Sequence, residues 1–427
     1  MTANPAANPT YWTTAQKVVF RFFMLLFILY VFFSPNGVLL VNDLYNIYVP
    51  VLHNIIVWIG KTVLHLPKSV TVFTNGSGDT TYDYLVLLFA LILAVAGTLI
   101  WSVIDKKQRN YNKLFYWLAV VLRFYVAITM VTYGYVKIIK LQFPAPSPGR
   151  LLEPIGNASP MGLAWTYMGY STGFNYFAGL AELTCGLLLF FRRTATAGAI
   201  VGLVVAGNIM AINYCFDVPV KILSTALVAM CLCLVVKDGR RLVNFFFLNQ
   251  PVPAANLTPP RFNKKWKNIT AATLKYLVVA YVLVGYLIGD IQAATMYGDT
   301  AKKPPFYGIY NVQTFIRDHD TLPPLTTDST RWNKLTIGNG GASVRLMNDS
   351  IKMFQLKTDT VAHTFTLTTM SNPKGYVFTY TGTKATLQLK GQWQQNPVQI
   401  QLSRYDLQNF LLLKRGFHWI NEYPLNR

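Results

Sequence analysis

The sequence is short of acid: 17 Asp and Glu stand against 38 Lys and Arg in 427 residues, a formal charge of +21. On a soluble chain that imbalance would point to nucleic acid. Its distribution excludes such a partner, because the bases gather in short loops between apolar stretches and the first 294 residues hold only nine acids. Charge of either sign is scarce at 13%, whereas 52% of residues are hydrophobic, the profile of a polytopic membrane protein.

Cysteine is nearly missing. Cys185, Cys215, Cys231 and Cys233 all lie in or at the ends of apolar runs, which excludes a disulfide framework and a soluble CxxC redox motif. Cys231 and Cys233 are two apart on a helix and point to nearly opposite sides, as fillers do. No apolar run carries two of the five histidines at ligand spacing, which argues against intramembrane haem and against zinc. No flavin, iron–sulfur or nucleotide signature is present either. Any electrons must therefore come from a partner or a diffusible molecule. The lack of an obvious inverted repeat or of paired broken helices speaks against a transporter.

What is present begins with seven apolar stretches, near 17–34, 82–103, 113–138, 172–191, 194–214, 220–236 and 270–289, each close to the ~20 residues that span a bilayer. No small-residue cleavage site follows Phe33, so the first reads as an uncleaved anchor. Basic loops at Asp105–Lys113, at Arg192-Arg193 and across Lys237–Lys267 (Arg261 among them) alternate with loops poor in base. This predicts a membrane protein with its amino end inside and its carboxyl end outside. The run Val51–Leu64 has helical spacing but is too short to cross, and predicts an interfacial helix. A turn over Asn75–Thr81 then leads the chain back into the membrane.

After about residue 300 the pattern changes to period two, as in Ala385-x-Leu387-x-Leu389, Val398-x-Ile400-x-Leu402 and Leu335-x-Ile337. Similar runs near 308–316, 342–348, 350–356, 362–369, 375–380 and 408–414 predict eight or nine short strands, split by Asn-Gly-Gly, Asn-Asp-Ser and Asn-Pro-Lys-Gly turns. Such hairpins close into an up-and-down barrel or a sandwich. The fold class expected is a helical membrane protein of about seven spans followed by an all-β domain outside the cytoplasm. Its segments are 1–110 (hairpin and interfacial helix), 111–245 (four-helix bundle), 246–294 (loop and last span) and 295–427 (β domain). Asp318, His319 and Asp320 sit together without a Ser or Cys partner and read as solvated turn residues.

The residue that stands out is Glu182, the one acid within the interior of a long apolar run. An ionisable group at that depth is costly and normally has a partner. At 1.5 Å per residue it lies about 15 Å below the outer end of its helix. On the preceding long helix that depth falls between Arg123 and Tyr133, so a Glu182–Arg123 ion pair is geometrically feasible. Arg123, Met130 and Lys137 are seven apart, and Tyr133, Lys137 and Lys140 share a face. Two readings stand side by side. A buried pair can fix helix register without chemistry, or Glu182, Arg123 and Lys137 can be a catalytic, proton-handling cluster with Tyr133 and Lys137 holding a head-group oxygen. Lys140 and Arg21 read as snorkelling cations. Asn208, Asn213, Tyr214 and Asp217 add polarity to the outer half, with Asn208 and Asp79 as further candidate substrate contacts. Asn in a span is more often an interhelical hydrogen bond, and Asp79 a turn former.

Leu122-Arg123-Phe124, Tyr133-Gly134-Tyr135-Val136-Lys137, a Pro/Gly-rich loop, Gly179-Leu180-Ala181-Glu182-x-x-x-Gly186-Leu187-Leu188-Leu189 and Arg192-Arg193 form a pattern that resembles the DoxX family of four-helix bacterial membrane proteins, over about 112–245. The whole chain, with its closing Arg415–Pro424, looks like longer members with a C-terminal β domain. The resemblance implies a bacterial inner (cytoplasmic) membrane location and a link to quinone, thiosulfate or thiol redox chemistry in some members. Two functions from different classes follow. One is an oxidoreductase, or a subunit of one, binding a quinone or other lipophilic molecule in the bundle with no covalently bound cofactor. The other is a non-enzymatic anchor whose outer β domain recruits a periplasmic protein partner.

Overall fold

The computed structural model describes residues 11–36, 38–72, 76–252, 254–255 and 262–426. Asn75 of the predicted turn and Arg261 of the basic loop lie outside them. The chain separates into two compact units, one of residues 1–143 and 160–292 and one of residues 144–159 and 293–427.

The first unit is helical: α1 (Thr14–Phe33), α2 (Leu39–Trp58), α3 (Thr81–Ile104) and α4 (Asn112–Ile138) come first. After the four-residue α5 (Pro148–Leu151), which belongs to the second unit, follow α6 (Pro160–Tyr170), α7 (Thr172–Phe190), α8 (Ala195–Cys215) and α9 (Lys221–Val236). The series closes with α10 (Gly239–Phe246), α11 (Lys265–Ala280) and α12 (Tyr286–Tyr297), the last two joined by a π-helical turn at Tyr281–Gly285. Six of these helices are long and apolar enough to cross a membrane among the described residues, seven if α9 and α10, bent by 75°, count as one span. The protein is a membrane protein. Its helices start where local chemistry tells them to: Thr13 and Gln16 make a capping box for α1, as do Thr80 and Asp83 for α3.

The run at 51–64 differs from expectation. It is the second half of a helix that begins at Leu39 and ends in a π-turn at Ile59–Val63. Asp43 and Asn46 dilute its first half below the apolar signal, yet neither breaks a helix. Pro50 sits within it, where a missing N–H costs one backbone bond.

Helix α4 packs on α7, α7 on α8, α8 on α9, and α9 returns to α4, closing a ring of four. The α4–α7 crossing is the closest, and glycine makes it so. A Cβ on Gly134 would lie 2.8 Å from the Gly179 carbonyl, and one on Gly186 would lie 2.8 Å from the Ala127 carbonyl. A Cβ on Gly179 would meet both the Gly134 carbonyl and Ile138 Cγ1 at 2.7 Å. Gly179→Ala should therefore destabilise the helical unit by about 1–3 kcal/mol. Gly207→Ala in α8, with nothing within 4 Å, should be neutral or slightly stabilising. Denaturant titration of the helical circular dichroism in detergent separates the two, and equal midpoints would refute the tight crossing.

The second unit is a closed barrel. Its strands are β1 (Gly308–Arg317), the two-residue β2 (Asp320–Thr321), β3 (Trp332–Gly338), β4 (Gly341–Leu346) and β5 (Ile351–Asp359), then β6 (Thr364–Thr369), β7 (Asn372–Gly382), β8 (Thr386–Trp393) and β9 (Asn396–Tyr405). All are antiparallel in the order β2-β1-β3-β4-β5-β6-β7-β8-β9, and β9 pairs with β1 from Arg317↔Val398 to Ile309↔Tyr405. Eight strands thus form an up-and-down barrel, and the sandwich alternative falls away. Its interior is packed with side chains that include Trp332, Trp393, Phe315 and Phe378.

Two turn expectations held, at Asn339-Gly340 and at Asn348-Asp349. The third did not. Asn372–Gly375 opens β7, the hairpin turns at Met370-Ser371, and Gly375 at φ +72° faces a shift in register between Leu367 and Thr369. Only glycine suits that backbone, since a Cβ there would sit 2.7 Å from the Leu367 carbonyl. The expected strand at 408–414 is also corrected. Asp406 caps a 3-10 turn at Leu407–Asn409 and α13 (Leu411–Lys414) follows, because β9 has already closed on β1 and leaves no edge to extend.

Candidate functional site

Glu182, on α7, is buried, and its partner is Lys137 on α4, not Arg123. The two meet across the crossing that Gly134 and Gly179 hold tight, each three residues from its partner in the pair. Lys137 Nζ donates to Glu182 Oε1 and also stands 6.0 Å from the Phe143 ring. Glu182 Oε2 has no hydrogen-bond partner among the described residues.

Arg123 does something else. Its Nε and Nη2 donate to the Leu189 carbonyl at 2.9 and 2.8 Å. That carbonyl is among the last four of α7, which no intrahelical N–H can reach. The Thr194 hydroxyl takes the neighbouring Leu188 carbonyl at 2.7 Å. Arg123 is thus the C-terminal cap of α7, a cation at the negative end of a helix. The feasible Glu182–Arg123 pair fails because Leu189 lies two turns, about 10 Å, beyond Glu182.

Tyr133 is half-buried on α4, within electrostatic reach of Glu182. It also lines a cavity of about 330 Å³. The polar side of that cavity is Tyr30, Ser34, Asn36, Tyr45, Tyr82 and Asp83, and Val86, Leu87, Ala90, Ile222 and Leu223 form its apolar wall. Asn36 Nδ2 reaches the Tyr125 hydroxyl at 2.5 Å, and that hydroxyl donates to the Ser34 carbonyl at 2.7 Å. The lining thus sets phenol and amide groups opposite an apolar wall. Sequence reading missed Tyr30, Tyr45, Tyr82 and Asn36. Their only signal is a phenol or amide near the end of an apolar run, and nothing along the chain says that these ends converge.

The other expected contacts lie elsewhere. Asn208 is exposed on α8. Asp79 caps α9, accepting from Lys221 N at 2.7 Å and Ile222 N at 3.0 Å, so two orphan donors of a distant helix fix the loop before α3. Asn213 donates to the Val220 carbonyl, a contact that holds the α8–α9 connection. Lys140 is buried and donates to the Gly169 carbonyl at 3.2 Å, so it does not snorkel. Nor does Arg21: it binds the Tyr111 hydroxyl, Ser102 Oγ and the Asp105 carbonyl. The Tyr111 hydroxyl in turn donates to Asp105 and holds its carboxyl below the ordinary carboxylate range.

A second acid in the helical unit is half-buried. Asp290 Oδ2 in α12 lacks a hydrogen-bond partner among the described residues. About two turns earlier, within the π-turn, the Leu283 carbonyl accepts from the Tyr135 hydroxyl at 2.9 Å. On the barrel, an open groove of about 620 Å³ runs along Lys384, Arg404 and Asp406–Gln408, with no buried residue in its lining.

Fold and site together define a two-unit membrane protein, a ring of spanning helices with an internal carboxylate–ammonium pair and a β-barrel of eight strands. No family model matches the chain, and no solved structure matches it. The chain is 37% identical over 126 residues to a Bacillus subtilis (strain 168) protein described as the uncharacterized protein YwoB, a match that covers 29% of this chain and 79% of that protein. Over that stretch the chain belongs to the family of the Bacillus protein.

Proposed function

We propose that the helical unit binds a lipophilic molecule with quinone-like oxygens, as an oxidoreductase or as the membrane subunit of one, and that the ring α4–α7–α8–α9 is a bundle of the DoxX-like kind. The observation that carries the reading is Tyr133, which lines the phenol-rich cavity and lies within electrostatic reach of Glu182. A ligand oxygen held by Tyr133 would lie in the field of Glu182, whose Oε2 has no hydrogen-bond partner among the described residues, and such a pairing of phenol and carboxyl suits proton transfer. Reduction of a quinone takes two protons and two electrons, and the electrons come from a partner or a diffusible reductant. The basic loops favour an orientation with the amino end in the cytoplasm and the barrel on the far side, and the DoxX-like pattern favours a bacterial inner membrane with the barrel in the periplasm.

Mass spectrometry of lipophilic molecules that co-purify with the protein tests this. Wild type should retain a defined ligand, and Tyr133→Phe, which removes one hydrogen bond, should retain about fivefold less. A second reading, an anchor whose barrel recruits a protein, is favoured by apolar side chains exposed on neighbouring strands and turns, Met353, Val361, Met370 and Val377. Bulk phospholipid alone in both proteins, with a co-purifying protein lost on Met353→Lys, would replace the first reading by the second.

A further inference from the structure

Helix α9 ends at Val236, and the chain turns there through 75° into α10. Asp238 holds the corner. Its carboxylate accepts from the Thr196 hydroxyl in the first turn of α8 and from Arg241 at 2.9 Å. Its carbonyl accepts from Leu242 N at 3.0 Å, the bond that starts α10. Thr196 also gives the corner a depth. It is the second residue of α8, a helix of 21 residues that is long enough to span, so the corner lies level with the end of a span. At 1.5 Å per residue α10 is about 12 Å long, and a bend of 75° lets it advance only ~3 Å along the axis of α9. It lies across the spans and completes no crossing.

The two sides of α10 differ. At about 3.6 residues per turn, Leu242, Val243 and Phe246 fall on one side, and Arg240, Asn244 and Arg241 on the other. Phe245 widens the apolar side, and Phe247 and Leu248 follow directly after the helix. The described residues leave these rings uncovered, with Phe245, Phe246 and Phe247 61%, 65% and 81% exposed. The charge around them has one sign. From Gly239 to Gly289 the chain holds seven bases and no acid. Arg240 is exposed, and so are Lys264, Lys265, Trp266 and Lys267, where α11 starts back into the membrane.

We propose that α10 is an interfacial helix that binds the anionic phospholipid surface at the membrane boundary where α9 ends. Three observations select this occupant. The corner sits at the depth of the head groups, the helix runs along that plane, and its apolar and basic sides match acyl chain and phosphate. A helix so placed buries its apolar side a few ångströms into the acyl boundary and leaves its bases among the head groups. Phe246 and Val243 enter the lipid, and Arg240 meets the phosphates. Each base near such a surface adds to its attraction for anionic lipid.

The full chain in nanodiscs of phosphatidylcholine and phosphatidylglycerol in equal parts tests this. The photoreactive residue p-benzoylphenylalanine is placed at Phe246 or at Asn244, and the adducts are weighed as intact protein. Phe246 should give mainly lipid adducts, and Asn244, on the opposite side, few. Arg240→Gln should lower the ratio of phosphatidylglycerol to phosphatidylcholine adducts at Phe246 about fivefold, whereas Arg240→Lys should keep it. Should the Asn244 variant fail to fold, the photoreactive residue at Arg240, exposed on the same side, takes its place. Adducts of two chains from Phe246 would give the apolar side to a second copy of the protein and overturn the proposal. Equal lipid adducts from the two sides, or an unchanged lipid ratio in Arg240→Gln, would overturn it as well.

Discussion

Lys137→Met should destabilise the helical unit by about 3–5 kcal/mol, and Lys137→Met combined with Glu182→Leu should recover most of that loss. The single change strands a carboxylate in an environment where Glu182 is 1% exposed. The double change leaves two apolar side chains of similar volume at a helix crossing that tolerates no shift. Gly134 and Gly179 hold the backbones together, so α4 and α7 cannot part to let water in. Unfolding of the helical signal in detergent reads both variants. If the double variant proves no more stable than the single, the pair contributes more than charge compensation to the crossing. Ligand retention divides the roles further. A pair that only sets register leaves retention intact in the folded double variant, and turnover with it. A pair that moves protons leaves retention intact and abolishes turnover.

Much of this architecture was legible before any coordinates, and the limits are physical. Spanning helices announce themselves through length and apolarity, so α1, α3, α4, α7, α8 and α9 lie within a few residues of expectation. Alternation marked the strands, and Asn339-Gly340 marked a hairpin between two of them. Periodicity could not choose between barrel and sandwich, because that choice rests on whether β9 meets β1, a pairing of residues some ninety positions apart. It also misread Leu411-Leu412-Leu413, a continuous apolar run that reads as strand or helix with equal ease. At the site, Glu182 and Lys137 were named from depth and face alone. Their pairing was not, because helix depth fixes position along the membrane normal but not rotation about the axis. Arg123 looked equally close until its true acceptor, a backbone carbonyl with no signature in sequence, came into view.

Trp332→Ala should remove about 3–5 kcal/mol from the barrel, and Trp332→Phe far less. The indole is wholly buried, 5.0 Å from the Trp393 ring and 5.6 Å from Phe378, both edge-on. Alanine there opens a cavity that strands fixed on both sides cannot collapse to fill. Phenylalanine keeps most of the apolar contact and the edge-on geometry. It also deletes a buried donor, since Trp332 Nε1 has no hydrogen-bond partner among the described residues, and that offsets part of the lost area. Near-ultraviolet circular dichroism during denaturation reads the barrel through its packed aromatic rings. Equal losses for the two substitutions would show that the indole N–H is satisfied after all, through a water molecule in the barrel. The same packing bears on function. An interior filled by Trp332, Trp393, Phe315, Phe365 and Phe378 leaves no lumen for a ligand of the kind that larger or emptier barrels hold. Any surface of the barrel that meets another molecule is therefore its outer one.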